Sequence, residues 1–330
     1  MVLSLLSAKN KVGNLVIEDH VIRYVELKQT NPMVVSKKKE HYLPAGLVEE
    51  GRIIDPASLS LILDECISGW GIKGTKVRFI VPNSVVVVRT QKLERALAED
   101  EIRSYLYLEM GSSIHLPFEN ASFDFVVKSQ TEEETEIILF AAPELLIQEY
   151  VEVLEKSKLK PIAADIAALS LYRLCFYEDR VKPDAHQMLV QFDLFSVNVS
   201  IFHQHQPLFA RSIPLDFVKS DWSINVNDEE TDFHYSEGKE QYLFGLEDVY
   251  QEFKRILDFY RFSYQDGEKL INDILLTGEH PFIEEIASQV EERLTIPVNT
   301  FSLSASRSQV DTYVQPRYYV PLGLGLKGVL

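Results

Sequence analysis

Cysteine is scarce: Cys66 and Cys175 are the two in 330 residues, and neither sits in a Cys-x-x-Cys pair or beside a histidine cluster. That excludes a disulfide framework and a cysteine-built zinc site, and it fits the reducing cytosol. Positive charge is short as well, since 33 Lys and Arg against 50 Asp and Glu leave a formal net charge of −17. A field of that sign repels phosphate backbones, so a nucleic-acid groove is set aside. Glycine and proline, at 14 each, are too few for collagen or low-complexity chain, while 18 Phe and 15 Tyr are too many aromatics for a disordered one. Long apolar runs are missing too. Residues 85–88 and 137–142 are strand-sized, against the roughly 20 residues that a membrane helix needs. Lys9 and Lys11 follow the short apolar N-terminal stretch instead of preceding it, so no secretion signal is expected.

What is present is a chain with 46% hydrophobic residues, long enough for two domains at about 150 residues each. From Asn14 to Leu43 the pattern predicts a three-strand meander with turns at Glu18-Asp19-His20 and Asn31-Pro32. A helix follows, with Asp55 as N-cap, Pro56 at its first position and Leu59, Ile62, Leu63 and Ile67 as one stripe. Next comes a strand-helix-strand-strand-helix run to about residue 160, with Ile102, Leu106 and Met110 on one helix and Leu146, Tyr150, Val153 and Leu154 on another. The second half opens on another meander (188–193, 197–203, 207–213) and continues with helix-strand-helix units. Two halves with one plan point to an internal duplication. Residues 216–242 are acidic and poorly periodic and read as a flexible or short helical excursion.

Several motifs fail their context. Gly69-Trp-Gly71-Ile-Lys-Gly74 follows a helix and Gly323-Leu-Gly325-Leu-Lys-Gly328 ends the chain, so neither has the strand-then-helix setting of a dinucleotide fingerprint. They read as a helix C-cap and as a closely packed terminal helix. His203-Gln-His205 lacks a third ligand nearby and reads as a solvated turn, not a zinc site. No P-loop, His-Glu-x-x-His or Gly-x-Ser-x-Gly string occurs, and the carboxylates are too many for any pair to mark acid/base chemistry.

Other strings, in order from about residue 14 to 328, resemble one family. They are Gly51-Arg-Ile-Ile-Asp55-Pro56, Val81-Pro-Asn-Ser84-Val-Val-Val-Val-Arg89, Ile114-His-Leu-Pro117-Phe118, Pro161-Ile-Ala-Ala-Asp165, Gln206-Pro-Leu-Phe-Ala-Arg211-Ser-Ile-Pro214, Ile274-Leu-Leu-Thr277-Gly278 and Val320-Pro-Leu-Gly323-Leu-Gly325-Leu. Their layout resembles the actin-like ATPases with an inserted module (the FtsA/PilM variety), and in detail the PilM family of type IV pilus assembly. The resemblance implies an α/β, duplicated ribonuclease H-like fold. Its first domain would be 1–76 with 161–184, its inserted strand-helix module 77–160, and its second domain 185–330.

In that family the meander turns would hold phosphates and Mg²⁺, through an Asp and a Gly. Here Val16 stands at the Asp position and Glu18 at the Gly position of the first turn, with Asp19 beside them. In the second turn Gln191 and Asp193 take those places, Phe195 is bulky, and Ser196 and Asn198 remain. The adenosine-side loop keeps Thr277 and Gly278 but continues Glu279-His280. The expectation is therefore a chain that binds ATP and Mg²⁺ poorly or not at all. A residue or two of shift in that alignment would instead make Asp19 or Asp193 the metal-side carboxylate.

The resemblance further implies a cytoplasmic scaffold, peripheral at the inner face of the cell membrane, in type IV pilus assembly or a pilus-like competence or adhesion machine. Its partners would be the cytosolic tail of a PilN-like membrane protein, the assembly ATPase and the platform protein. Candidate groove residues are Leu106, Met110, Ile114, Leu116 and Phe118, whose alternative is ordinary module core. The rival readings are an active ATPase or sugar-kinase-like phosphotransferase on the same fold, and an FtsA-like filament former, for which a C-terminal amphipathic helix is lacking.

Overall fold

The computed structural model describes residues 11–217, 219–226, 231–264, 270–303 and 314–329, in two compact units. The first holds the chain up to Glu178 together with 318–329. It opens with β1 (Val12–Glu18), β2 (Val21–Thr30) and β3 (Met33–Tyr42), an antiparallel meander followed by the small hairpin β4 (Val48–Glu49) and β5 (Arg52–Ile53). Helix α1 (Pro56–Trp70) starts where the Asp55 carboxylate accepts the Ala57 and Ser58 amides at 3.1 and 3.0 Å. It buries Leu59, Leu63 and Ile67 on one face and ends at Gly71. It carries the chain over to β6 (Lys76–Ile80), which lies parallel to β1.

Then come β7 (Val87–Leu93), α2 (Glu99–Glu109), β8 (Ala121–Gln130), β9 (Thr135–Pro143), α3 (Glu144–Lys156), β10 (Lys160–Asp165) and α4 (Ala167–Tyr177). The main sheet of this unit is ordered β10-β6-β1-β2-β3. Beside it β7, β9 and β8 neighbour one another in that order, and α2 lays Ile102 and Leu106 on Leu93, Ile137 and Leu139 from those strands.

The inserted module is thus smaller than the 77–160 expected. Strand β6 belongs to the main sheet, and α3 buries Leu146, Tyr150, Val153 and Leu154 in the core shared with Leu15, Val77 and Leu63. Apolar spacing shows that a helix has a buried face, but not which neighbour covers it.

The second unit spans Asp179–Ser302 with 315–317. Its elements are β11 (Gln187–Phe192), β12 (Ser196–His203), β13 (Gln206–Pro214), β14 (Trp222–Val226), β15 (Thr231–Tyr235), α5 (Lys239–Phe244), α6 (Glu247–Tyr264), β16 (Asp273–Thr277), α7 (Ile283–Leu294) and β17 (Val298–Thr300). The order β17-β16-β11-β12-β13 repeats the first sheet's plan, with an antiparallel meander, then a strand parallel to the meander's first strand, then another parallel to that. Duplication is visible as topology.

Two expectations need correcting here. Residues 222–226 and 231–235, inside the stretch read as flexible or helical, form a hairpin, because Trp222 and Tyr235 are an opposed pair and both rings bury against Tyr242. The final helix α8 (Tyr319–Gly325), assigned from sequence to the second half, packs with the first unit: a Cβ on Gly323 would stand 1.8 Å from the Ser170 carbonyl oxygen of α4. Glycine is what lets the two backbones touch. Among the described residues no helix is long and apolar enough to cross a membrane.

Candidate functional site

The first meander turn is short. Strand β1 ends at Glu18, β2 begins at Val21, and Val16 faces an apolar cluster of Ile80, Ala167, Val320 and Leu324. Valine has no side-chain atom that could ligate a metal, and here it fills that cluster. Glu18 accepts from Arg23 Nη1 at 3.1 Å, and the same buried guanidinium reaches Glu40 at 3.5 Å. Asp19 accepts the backbone amides of Glu50 and Gly51 at 2.7 and 2.9 Å. The carboxylates of this turn are therefore engaged by the protein itself, so they do not simply project uncompensated charge, as the sequence suggests. The partners of Asp19 lie some thirty residues on, behind two strands, where sequence periodicity gives no signal.

The second turn is filled in the same way. Gln191 Nε2 donates to Asp193 at 2.7 Å, Asn198 Nδ2 to the same oxygen at 3.3 Å, and the Asp193 amide to the Ser196 carbonyl at 3.0 Å. Asp193 is buried. The loop after β16 presses on this turn. Thr277 donates its hydroxyl to the Phe301 carbonyl, the His280 amide reaches the Phe192 carbonyl at 3.3 Å, and a Cβ on Gly278, whose φ is +141°, would lie 1.9 Å from that same carbonyl oxygen. His280 sits in a ring of Phe192, Trp222, Tyr242 and Phe282, with centroids 4.5–5.5 Å away. Its Nδ1 accepts the Phe282 amide at 3.2 Å, so the neutral ring carries its proton on Nε2. Burial holds its pKa down at about 3, and the imidazole is uncharged at neutral pH.

The inserted module presents a different kind of site. A cavity of about 660 Å³ opens between the end of α2, the 111–120 loop, the start of β8 and Glu144 at the head of α3. Of the five residues picked from sequence, Met110, Ile114, Leu116 and Phe118 line it, whereas Leu106 is fully buried in the module core. The stripe of α2 points into that core, and only its last turn reaches the opening. Tyr107, 64% exposed, and Phe123 line it as well, their rings edge to face at 4.7 Å. Sequence reading missed Phe123 because it lies across the sheet, and Tyr107 because it falls off the apolar stripe of α2.

Two sheets of one plan, each a meander extended by parallel strands, with a module inserted in the first, define an actin-like ATPase fold. Solved structures agree. The chain is similar over 97% of its length to 98% of a chain in a PilM-PilN type IV pilus biogenesis complex (TM-score 0.76, 19% identity). It is similar over 97% to 97% of MreB5 of Spiroplasma citri bound to ADP (0.52, 8%), and over 97% to 89% of the ethanolamine utilization protein EutJ from Carboxydothermus hydrogenoformans (0.52, 9%). At such identities the likeness is one of fold. The model of the type IV pilus assembly protein PilM family matches residues 15–219, and the chain belongs to that family. No curated protein matches the sequence.

Proposed function

We propose that this protein is a scaffold of type IV pilus assembly, or of a related competence or adhesion machine, that works through its surfaces and not through nucleotide turnover. It would stand at the cytoplasmic face of the membrane, hold the cytosolic tail of a PilN-like membrane protein, and connect that protein to the assembly ATPase and the platform protein. The observation that carries this reading is the module cavity: about 660 Å³, edged by Met110, Leu116, Phe118 and Tyr107 in a chain of the PilM family. A pocket of this size, in which apolar side chains stand beside His115, Glu119 and Glu144, suits the side chains of an extended peptide.

The nucleotide side of the reading rests on occupancy. Amides of Glu50 and Gly51 are already satisfied by a protein carboxylate, and Asp193 is tied to Gln191 and Asn198. An incoming phosphate would have to displace these contacts. Where one like charge stays uncompensated at about 4 Å, repulsion near 4 kcal/mol costs roughly a thousandfold in affinity.

The test of the scaffold is direct binding of a synthetic peptide of the PilN-like tail to the full chain. Phe118→Ala and Met110→Glu, at half-buried cavity positions, are expected to weaken it about tenfold or more, in line with loss of an apolar anchor, with unchanged circular dichroism. Equal affinity for wild type and both variants would remove the cavity from consideration.

A further inference from the structure

The first unit gathers positive charge at one end of its main sheet. Strands β1, β6 and β10 all start there, since Val12 pairs with Lys76 and Lys76 with Lys160. Helices α1 and α3 finish there, in two turns tied together: the Gly74 amide donates to the Lys158 carbonyl at 2.8 Å, and the Lys160 amide to the Thr75 carbonyl at 2.9 Å. Strand β2 runs antiparallel to β1, pairs Glu26 with Gly13 and then carries Lys28 past the start of β1. Lys28, Lys73, Lys76, Lys158 and Lys160 therefore share this end, and all five are exposed. Long separations in the chain hide the cluster from sequence reading.

Among the described residues no carboxylate pairs with any of the five, whereas nearby Lys11 is held by the buried Glu26 at 3.2 Å and Lys156 by Glu152 at 3.4 Å. Cations are favoured at helix C-termini, which accounts for Lys73 and Lys158. It does not account for Lys76 and Lys160, which stand opposite each other on neighbouring strands, where like charges cost stability. The chain as a whole carries −17, so an anionic surface comes close only where positive charge is gathered. One more feature belongs to this end. Residues 1–10 lie outside the described residues, but their sequence leads into β1 here and contains Met1, Val2, Leu3, Leu5 and Leu6, followed by Lys9.

We propose that this end of the first unit docks directly on an anionic phospholipid bilayer. The lysines meet the headgroup phosphates, and the leucines of the preceding segment enter the acyl boundary. Those leucines are what select a bilayer, because a nucleic acid or an acidic protein surface offers them no apolar phase. Each lysine near an anionic surface is worth about fivefold in affinity, and its reach is about one Debye length. A basic cluster and a short apolar segment are each marginal alone and together make a stable attachment. The contact goes beyond the scaffold reading, which brings the protein to the membrane through a partner's tail, and it does not depend on that reading.

The test is flotation of the full chain with vesicles of phosphatidylglycerol and phosphatidylcholine in equal parts, with no peptide added. Binding is expected to these vesicles and not to phosphatidylcholine alone, and it should weaken as salt rises. A variant with Lys73→Gln, Lys76→Gln, Lys158→Gln and Lys160→Gln is expected to bind about a hundredfold or more weakly, while Arg at the same four positions keeps the binding. Lys92→Gln, Lys128→Gln, Lys239→Gln and Lys254→Gln together change the net charge equally from other parts of the chain, and should cost less than about threefold. Leu3→Ser with Leu6→Ser should cost about tenfold or more. Unchanged circular dichroism shows that each variant is folded. The proposal is overturned if no vesicle binds, if both sets of four lysines weaken binding alike, if the leucine variant binds like wild type, or if a DNA duplex binds as tightly at the same salt. Since no PilN-like peptide enters the assay, each of these failures leaves the tail reading standing, and failure of the tail peptide leaves this one.

Discussion

His280 shows how one side chain can set the pH response of a domain. Its ring is buried among Phe192, Trp222, Tyr242 and Phe282, and burial lowers its pKa from the usual 6.5 to about 3. Below pH 6.5 the unfolded chain takes up a proton that the folded chain refuses. The stability contributed by the neutral ring is therefore complete above pH 6.5 and is lost as pH falls toward 3. In His280→Phe this dependence disappears. Urea unfolding at pH 6.5 and pH 4.5 should show wild type losing about 2 kcal/mol more than the variant over that interval; parallel losses would mean that the ring accepts a proton inside the fold. The residue scale is also where sequence reading was least complete. Glu18 and Asp19 were identified as out of place in a phosphate turn, but Arg23, and the Glu50 and Gly51 amides that engage them, emerged only from the folded chain.

At the scale of elements, the helices with strong local signals formed where expected. The start of α1 follows from Asp55 and Pro56, read locally; its end, which the sequence puts at Gly69, falls at Gly71 within the same glycine string. Its packing was legible too, because Leu59, Leu63 and Ile67 repeat at helical spacing. Helix α8 is the contrary case, since its residues Tyr319 to Gly325 are all buried and periodicity has nothing to report. Its contact with α4 depends on Gly323, and Gly323→Ala forces a Cβ against the Ser170 carbonyl oxygen at 1.8 Å. We expect a loss of about 3 kcal/mol in urea unfolding, the upper range for overpacking. Gly69→Ala, in the last turn of α1 with open space at its Cβ, should instead gain about 0.5 kcal/mol. Similar small effects from both would show that α8 shifts easily and does not close the first unit.

For the molecule as a whole, the decisive measurement is linkage to nucleotide. A native state that bound Mg-ATP with a Kd near 10 μM would gain about 2.7 kcal/mol at 1 mM ligand, and its melting temperature would rise by several degrees. We expect no rise beyond that produced by Mg²⁺ with sulfate at equal ionic strength. A shift of that size specific to ATP or ADP would show that the turns rearrange to admit nucleotide and would return the chain to the active members of its fold.

Alternating and helical spacings, the cap residues and the repeated meander were enough to establish a duplicated α/β chain of the actin-like class, because each depends on neighbours within a few positions. The same order of strings led to the PilM resemblance. What the tertiary structure alone decided were contacts between residues far apart in the chain. It turned Asp19 onto amides thirty residues away, placed α3 on the main sheet instead of in the module, buried Leu106 while leaving Met110 and Phe118 at an opening, and left one edge of β8 unpaired. Local pattern specifies which face of an element is apolar; which partner covers that face, and where none does, is settled only when the whole chain has packed.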